Sequence, residues 1–113
     1  MKQPVKEKWV KQQVVKMLKE MGVYSFMPAT HGYGSSGTPD IIACIHGKLV
    51  AIECKANGGK PTALQEKNLM DICANGGIAI KVDETGVQDL KVFLSALGAD
   101  AGGMYVDYLR GKK

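Results

Sequence analysis

The sequence predicts a single small α/β domain. Its 113 residues suit one hydrophobic core rather than two. Segments with helical periodicity alternate with short apolar runs typical of strands, and turn residues separate them. Hydrophobic residues make up 45% of the chain and charged residues 23%, which are ordinary values for a globular domain. Because the chain shows neither a bilayer-spanning apolar run nor a secretory signal, we expect a cytoplasmic protein.

The first predicted element is a helix over about residues 4–21, with Pro4 as its first residue and Gly22 as its stop. Its apolar stripe consists of Val10, Val14, Met17, Leu18 and Met21. Glu7 falls in the middle of that stripe. A carboxylate there either favours the positive end of the helix dipole or points into a site at the edge of the core. The sequence leaves both explanations open.

The opposite side of this helix carries an apolar pair, Val5 and Trp9, among lysines and glutamines. A subunit contact, a base-stacking platform and an isolated surface tryptophan each explain the pair. Positive charge is concentrated at the two ends of the chain, whose formal net charge is +4. This distribution indicates either a polyanionic partner or a solvated helix face.

The remaining elements follow in order. Residues 23–27 form a predicted strand, and a loop rich in glycine and serine occupies residues 28–38. Further strands are predicted at about 40–46, 49–55 and 78–82.

Two helices complete the predicted order. One runs from Thr62 to about Ala74, before Asn75-Gly76-Gly77. The other is indicated by Val87, Leu90, Phe93, Leu94 and Leu97 and stops at Gly98. The glycine-rich tail after it has weak signals, although "MYVDYL" is compatible with an edge strand or a contact.

The three cysteines, Cys44, Cys54 and Cys73, are odd in number and lack a paired C-x-x-C spacing. They lie within apolar segments. We therefore predict reduced core residues rather than disulfides or a zinc site.

The two strands around Gly47-Lys48 predict a hairpin that confines charge to one face. With those two residues as a primed turn, Asp40 lies opposite Lys55. Alternation places Ile41, Ala43, Ile45, Val50, Ile52 and Cys54 on one apolar face. Asp40, Glu53 and Lys55 share the other face.

Two acids and a lysine in one place indicate metal-dependent chemistry. An exposed ion pair contributes only about 0–1 kcal/mol, so pairing Asp40 with Lys55 beside a solvated Glu53 explains little. Carboxylates on directly opposed or diagonal positions, about 4.5–8 Å apart at Cβ, can hold one divalent cation. Lys55 could then orient or help deprotonate a water nucleophile, or stabilise charge on a phosphate.

These residues form a pattern that resembles a known family. "GTPD", followed after a strand and a turn by "AIECK", resembles the catalytic core of the PD-(D/E)xK nucleases. Glu7 and "PTALQ", residues 61–65, are similar to the virus-type replication-repair nuclease (VRR-NUC) domain, which resembles archaeal Holliday junction resolvases. The likeness covers about residues 5–97 of a single domain, 1–113. It implies a restriction-endonuclease-like α/β core with a central mixed sheet flanked by helices.

The resemblance also implies a metal-dependent DNA endonuclease and assigns roles by position. Asp40 and Glu53 would bind Mg²⁺ or Mn²⁺, and the backbone carbonyl of Cys54 would add a ligand. Lys55 would serve the attacking water. Glu7 would support the metal directly or through water.

Gln65 has two explanations. Thr62-x-x-Gln65 matches a capping box, in which the glutamine amide satisfies the start of the helix. Gln65 also shares a helix face with Leu69 and Ile72, so it can face the catalytic strand. We favour a role in supporting the site, and the two roles can coexist.

The predicted DNA contacts are His31, Tyr33, Ser35, Ser36 and Lys60. The hydroxyls and His31 offer hydrogen bonds to phosphates that carry little sequence information. Phosphate contact or a satisfied loop histidine is favoured over a general base for His31. Tyr33 either stacks on a splayed base or packs the loop.

The leading functional prediction is hydrolysis of branched DNA, such as Holliday junctions, by a homodimer. Two-fold symmetry would present two active sites to two strands, through the Val5/Trp9 face or the apolar tail. The alternatives are a non-catalytic DNA-binding or assembly module with the nuclease fold, and a nuclease that processes flaps or nicks.

Overall fold

The computed structural model describes residues 4–29 and 37–111, which contain three helices and five strands. In chain order the elements are α1 (Glu7–Glu20), β1 (Tyr24–Phe26), β2 (Ile41–Ile45), β3 (Lys48–Cys54), α2 (Ala63–Ala74), β4 (Ile78–Val82), α3 (Val87–Ser95) and β5 (Met104–Tyr108). None of the helices in these residues combines the length and the apolar character needed to cross a membrane.

The five strands form one mixed sheet in the order β1-β2-β3-β4-β5. The pairs from β1 to β3 are antiparallel, and the pairs from β3 to β5 are parallel. Helices α1 and α3 pack on one face of the sheet, and α2 packs on the other. The predicted α/β class, with a restriction-endonuclease-like mixed sheet flanked by helices, is therefore confirmed.

Side-chain alternation along β3 builds the core on both faces of the sheet. Val50, Ile52 and Cys54 are fully buried in the larger core cluster, beneath α1 and α3. Ala51 packs on the other face with Leu69 of α2. Each fully buried Val, Leu or Ile side chain contributes about 1.5–3 kcal/mol relative to exposure. The apolar face predicted for the hairpin is confirmed, and α2 covers the opposite face.

The turn between β2 and β3 is His46-Gly47, one residue earlier than predicted. Across it, Ile45 pairs with Lys48. Both turn residues have positive φ, 52° at His46 and 78° at Gly47, as a type I′ turn requires. The sequence prediction placed Gly47 first in a Gly47-Lys48 turn, because glycine also suits the first position of a type II′ turn. In the structure Gly47 is the second residue of the turn.

The earlier turn shifts the strand pairing by two residues. Ile41 lies opposite Ile52, and continuing this register by one step puts Asp40 opposite Glu53 rather than Lys55. A shift of two leaves every side chain on its predicted face, since the side-chain period of a strand is two. The charges still share one face, but two carboxylates, rather than a carboxylate and a lysine, now oppose each other.

Helix α1 begins at Glu7, later than predicted. Lys6 has an extended backbone, with φ −92° and ψ 146°, and the side-chain amide of Asn57 donates a hydrogen bond to the carbonyl of Val5. Val5 therefore precedes the helix and packs at the edge of the larger core cluster, whereas Trp9 is 45% exposed. The predicted helical pairing of Val5 with Trp9 is wrong, although both border one shallow hollow.

The C-terminal half follows the predicted order closely. Helix α2 and strand β4 have the predicted bounds within one residue, whereas α3 ends at Ser95, before the predicted Leu97. Residues Met104–Tyr108 form β5, which pairs in parallel with β4. Part of the tail thus completes the sheet as its edge strand.

The cysteines differ in burial. Cys54 is buried, Cys73 is intermediate and Cys44 is exposed, and all three are free thiols. The prediction of a core position is wrong for Cys44, because alternation along β2 turns it away from the larger core cluster that holds its neighbours Ala43 and Ile45.

Candidate active site

Five charged side chains meet where the start of β2 and the end of β3 lie against the first turns of α1. Asp40 directly precedes β2, Glu53 lies near the end of β3, and Lys55 follows that strand. Helix α1 contributes Glu7 and, one turn later, Lys11. Ion pairs connect these groups across the three elements. The catalytic roles of these residues stay predictions.

Asp40 is fixed through both carboxylate oxygens. The backbone N–H of Cys54 donates a 2.8 Å hydrogen bond to Oδ2, and Nζ of Lys11 lies 3.3 Å from Oδ1. The side chain is 15% exposed. A carboxylate that is held from two sides and is still partly open to solvent can bind a cation without first having to be ordered.

Glu53 is the least satisfied polar side chain of the site. It is 0% exposed, and among the described residues neither carboxylate oxygen has a hydrogen-bond donor. Burial, and then the charge of Asp40, raise the pKa of Glu53 to about 8, while Lys55 acts in the opposite direction. A buried carboxylate without donors is costly unless it is protonated or neutralised by a cation.

Lys55 lies between two carboxylates. Its Nζ is 3.5 Å from Oε2 of Glu53 and 4.0 Å from Oε1 of Glu7. Its backbone N–H donates a 2.9 Å hydrogen bond to the carbonyl of Val82, so the chain remains attached to β4 one residue beyond β3. The side chain is 12% exposed. The ammonium group is therefore confined to the site.

The position of Glu7 agrees with both explanations that the sequence left open, the helix dipole and a site at the edge of the core. It lies in the first turn of α1, where a carboxylate favours the helix dipole. Its contact with Lys55 also brings it to the edge of the site. With a side chain that is 43% exposed, Glu7 is the most solvated acid of the group.

The residues present fit a divalent cation, which the PD-(D/E)xK resemblance implies. Asp40 and Glu53 supply opposed carboxylates, and the donor-free oxygens of Glu53 favour a cationic partner. Across residues 4–29 and 37–111, no group of three or more His, Cys, Asp or Glu side chains forms a ready-made metal site. Two carboxylates leave most of the coordination shell to water, and such sparse protein ligation is typical of Mg²⁺. The backbone carbonyl of Cys54 as a further ligand stays a prediction.

Gln65 forms the capping box that its sequence position indicates. The backbone N–H of Thr62 donates to Oε1 of Gln65 at 2.8 Å, and the backbone N–H of Gln65 donates to the Thr62 hydroxyl at 3.2 Å. Leu69 and Ile72, on the same helix, face the sheet as expected. The capping box accounts for the carbonyl oxygen of the Gln65 side chain, and its role in the site stays a prediction.

Four predicted DNA contacts, His31, Tyr33, Ser35 and Ser36, lie outside the described residues. Lys60 is exposed and borders a cleft of about 290 Å³ with Gly58 and Gly59. The position of Lys60 at an open cleft allows contact with a phosphate, and this role stays a prediction.

Lys11 is the site residue that the sequence analysis missed. In the sequence analysis the lysines of α1 were treated only as surface charge. The spacing of four residues between Glu7 and Lys11 was the available signal, because residues i and i+4 are neighbours on a helix. That signal was incomplete, since the contact with Asp40 depends on how α1 crosses the end of β2.

A second polar cluster was also missed. Lys81 of β4 lies 3.3 Å from Oε2 of Glu66 and 3.6 Å from Oδ2 of Asp107. Its Nζ is 5.1 Å from the ring centre of Tyr105, and the Tyr105 hydroxyl donates to Glu66. These contacts connect α2, β4 and β5. They had no sequence signal because the parallel register of β4 and β5 creates them.

Two comparisons with known proteins identify relatives of this chain. The family model "Archaeal holliday junction resolvase (hjc)" matches residues 3–76, a segment that contains all five charged residues of the site. "Putative nuclease p44" of Acyrthosiphon pisum secondary endosymbiont phage 1 is 31% identical over 96 residues, which cover 82% of this chain and 96% of that protein. No solved structure matches the chain.

The family match supports the broader part of the predicted resemblance but not its narrower part. It agrees with the resolvase likeness and with the PD-(D/E)xK pattern, whereas the narrower likeness to VRR-NUC domains stays a prediction. The matched residues run from α1 through the β2–β3 hairpin to α2, which is more than half of the chain. The chain therefore belongs to the archaeal Holliday junction resolvase family of nucleases.

Proposed function

We propose that this protein is an Mg²⁺- or Mn²⁺-dependent endonuclease that cleaves branched DNA. The observation that carries the proposal is Glu53, which is buried, lacks hydrogen-bond donors among the described residues, and lies beside Asp40 and Lys55. A structural ion pair would leave no reason to bury such a carboxylate without donors. A cation between the two acids would neutralise the buried Glu53 and relieve its repulsion with Asp40.

Asp40 and Glu53 would hold the cation, with the Cys54 carbonyl as a further ligand and Glu7 in support. When bound, the cation would supply positive charge to a phosphate oxygen and make a nearby water more acidic. Asp40 is already oriented for this task by the Cys54 N–H. The preorganised carboxylate lowers the cost of assembling the site.

Lys55 acts on the reacting groups. Its ammonium, confined between Glu53 and Glu7, donates hydrogen bonds to the attacking water or to a non-bridging phosphate oxygen. The water oxygen forms a bond to phosphorus, and the bond from phosphorus to one sugar oxygen breaks. One proton of the water leaves to solvent, and the departing sugar oxygen is protonated.

The preference for branched DNA is supported by membership of the resolvase family. A four-way junction requires cuts in two strands, and a two-fold dimer supplies two copies of the site. The predicted homodimer is therefore part of the proposal. A single small domain would cut one strand at a time.

A cleavage panel tests the proposal. Purified protein is incubated with a four-way junction, a flap, a fork, a nicked duplex and an intact duplex, with Mg²⁺, Mn²⁺ or EDTA, and the cut positions are mapped. We expect paired, symmetric cuts in the junction with either metal and none in EDTA. One-sided cuts would instead identify a nuclease that processes flaps or nicks.

Matched variants exclude a contaminating nuclease. Lys55→Ala and Asp40→Asn should abolish cleavage while the far-UV circular dichroism stays unchanged. Lys67→Ala removes an exposed lysine, which pairs with Asp71 on α2, and should cut normally. Undiminished cleavage by both site variants would overturn the assignment.

A further inference from the structure

Lys11 neutralises the one oxygen of Asp40 that has no backbone partner. Oδ2 accepts the Cys54 N–H, whereas Oδ1 lies 3.3 Å from Nζ of Lys11. The lysine side chain is 34% exposed, so it reaches the site from the solvent side. Cations compete for a carboxylate oxygen, and Lys11 therefore stands where a divalent cation would have its strongest attraction to Asp40.

A bound divalent cation gives the cluster a net positive charge. When ionised, Asp40, Glu53 and Glu7 carry three negative charges, and Lys11 and Lys55 carry two positive charges, which leaves one net negative charge. A divalent cation would make the same cluster positive by one charge. One phosphodiester group carries one negative charge, so the cluster with a cation matches a single backbone phosphate.

A groove along α1 offers Lys11 an alternative position, away from Asp40. This groove of about 570 Å³ is lined by four lysines of α1 and by Glu20 and Met27. The lysines are Lys8, Lys11, Lys16 and Lys19. From Lys8 to Lys19 the helix advances about 16 Å, which is close to five phosphate steps along one strand of duplex DNA. Lys11 is the member of this row that also contacts the site. If Lys11 leaves Asp40, its ammonium joins a row of lysines along α1 that can contact a phosphate backbone.

We propose that Lys11 is a positioning residue that exchanges Asp40 for a DNA phosphate when a divalent cation binds, so that metal and DNA bind cooperatively. This inference rests on the proposed function. In the metal-free protein Lys11 orders Asp40 and suppresses its repulsion with Glu53. In the loaded protein the cation takes over that task, and Lys11 contacts the backbone of the bound strand. Because binding free energies are reciprocal, DNA must then strengthen metal binding as much as metal strengthens DNA binding.

Metal affinity in the absence of DNA is the first test. Titration calorimetry with Mn²⁺ compares the natural protein with Lys11→Met, which keeps much of the side-chain length and removes the charge. We expect Lys11→Met to bind Mn²⁺ about two- to fivefold more tightly, which is the range that a partly exposed ion pair contributes. A lysine with only a structural role would give equal or weaker metal binding in this variant.

Lys16→Met is the matched control. It removes the same charge from the same groove but has no contact with Asp40 among the described ion pairs. It should weaken DNA binding and leave Mn²⁺ affinity unchanged. Lys11→Arg retains the charge and should keep the affinity for Mn²⁺ close to that of the natural protein. Equal tightening in Lys11→Met and Lys16→Met would show a general charge effect and would overturn the proposal.

The coupling between metal and DNA is the second test. The dissociation constant of a labelled four-way junction is measured by fluorescence anisotropy in EDTA and in saturating Mg²⁺, with Lys55→Ala in every protein to prevent cleavage. We expect Mg²⁺ to tighten junction binding several-fold less when Lys11→Met is added than when Lys16→Met is added. Identical tightening in the two would overturn the proposal.

The outcomes separate this inference from the function on which it rests. If the natural protein binds Mn²⁺ and Lys11→Met binds it no more tightly, only the exchange role of Lys11 fails. If the natural protein binds no divalent cation, both the exchange role and the metal-dependent nuclease fail. Tighter Mn²⁺ binding together with reduced coupling supports the exchange role independently of any cleavage.

Discussion

The backbone N–H of Cys54 donates a 2.8 Å hydrogen bond to Oδ2 of Asp40. This bond joins the last residue of β3 to the residue before β2, at the open end of the hairpin. Asp40 therefore has a structural role in addition to its proposed role in the reaction. The two roles can be separated by substitution, because only the structural role is retained by a neutral acceptor.

Asp40→Asn and Asp40→Ala should both lose cleavage but should differ in stability. The asparagine carbonyl can still accept the Cys54 N–H, whereas alanine leaves that donor without a partner. An unpaired buried donor costs about 1–3 kcal/mol, so we expect the free energy of unfolding of Asp40→Ala to be lower by about that amount. Urea unfolding at one pH measures the difference. Equal stability of the two variants would contradict the role of this hydrogen bond.

The site also shows what the sequence could and could not predict. Its acids and Lys55 were predictable, because strand alternation fixes which side chains share a face. Their partners were not. The turn had two acceptable positions for Gly47, and the choice between them decided whether Asp40 opposes Lys55 or Glu53.

The contact between Lys11 and Asp40 depends on a different level of structure. A helical wheel gives the face of a residue but not the angle at which α1 crosses the sheet. In the same way, the cluster around Lys81 forms only when β4 and β5 pair in parallel, which no local pattern specifies. Local chemistry was therefore predictable from the sequence, and contacts between distant elements were not.

The raised pKa of Glu53 predicts that the metal-free protein loses stability as the pH rises. Below a pH of about 4.5, the ordinary pKa of the group, the carboxyl is protonated in the folded and unfolded states alike. Between that value and about 8, the unfolded chain releases a proton that the folded protein retains. The free energy of unfolding should therefore fall across this window, at no more than about 1.4 kcal/mol per pH unit, and level off above it.

Glu53→Gln is the matched control, since it keeps the shape of the side chain and cannot ionise. Urea unfolding in EDTA is measured from pH 5 to pH 9 for both proteins. The natural protein should lose stability relative to Glu53→Gln as the pH rises, and Mg²⁺ at pH 9 should stabilise the natural protein alone. Parallel pH profiles would show that Glu53 does not carry the shift.

The type I′ turn predicts opposite effects for substitutions at its two positions. His46 has a φ of 52° and Gly47 a φ of 78°. Asparagine tolerates positive φ better than most residues, so His46→Asn should raise the free energy of unfolding slightly. Gly47→Ala should lower it by about 1–2 kcal/mol, the cost of a left-handed conformation for a residue with a Cβ. Thermal unfolding of the two variants beside the natural protein measures both effects. A loss of stability in His46→Asn would contradict the turn assignment.

The proposed homodimer should form through α3 and β5 rather than through Trp9. β5 is one of the two edge strands of the sheet, so among the described strands one side of its backbone has no neighbour and can face a partner. A groove of about 610 Å³ lies between α3 and β5 and includes Phe93 and Met104, and Val92, at its rim, is 61% exposed. An apolar groove beside an open strand edge suits a second copy of the same surface.

Two variants that introduce the same charge, Val92→Glu and Trp9→Glu, distinguish the α3/β5 interface from the Trp9 interface. Light scattering at micromolar concentration should show a dimer for the natural protein and for Trp9→Glu, and a monomer for Val92→Glu, because an unpaired carboxylate in an apolar interface is costly. The active site is unchanged in Val92→Glu, so it should still nick a junction but lose the pairing of cuts on opposite strands. A natural protein that stays monomeric with and without junction DNA would contradict symmetric cleavage. A monomeric Trp9→Glu beside a dimeric Val92→Glu would move the interface to the other face.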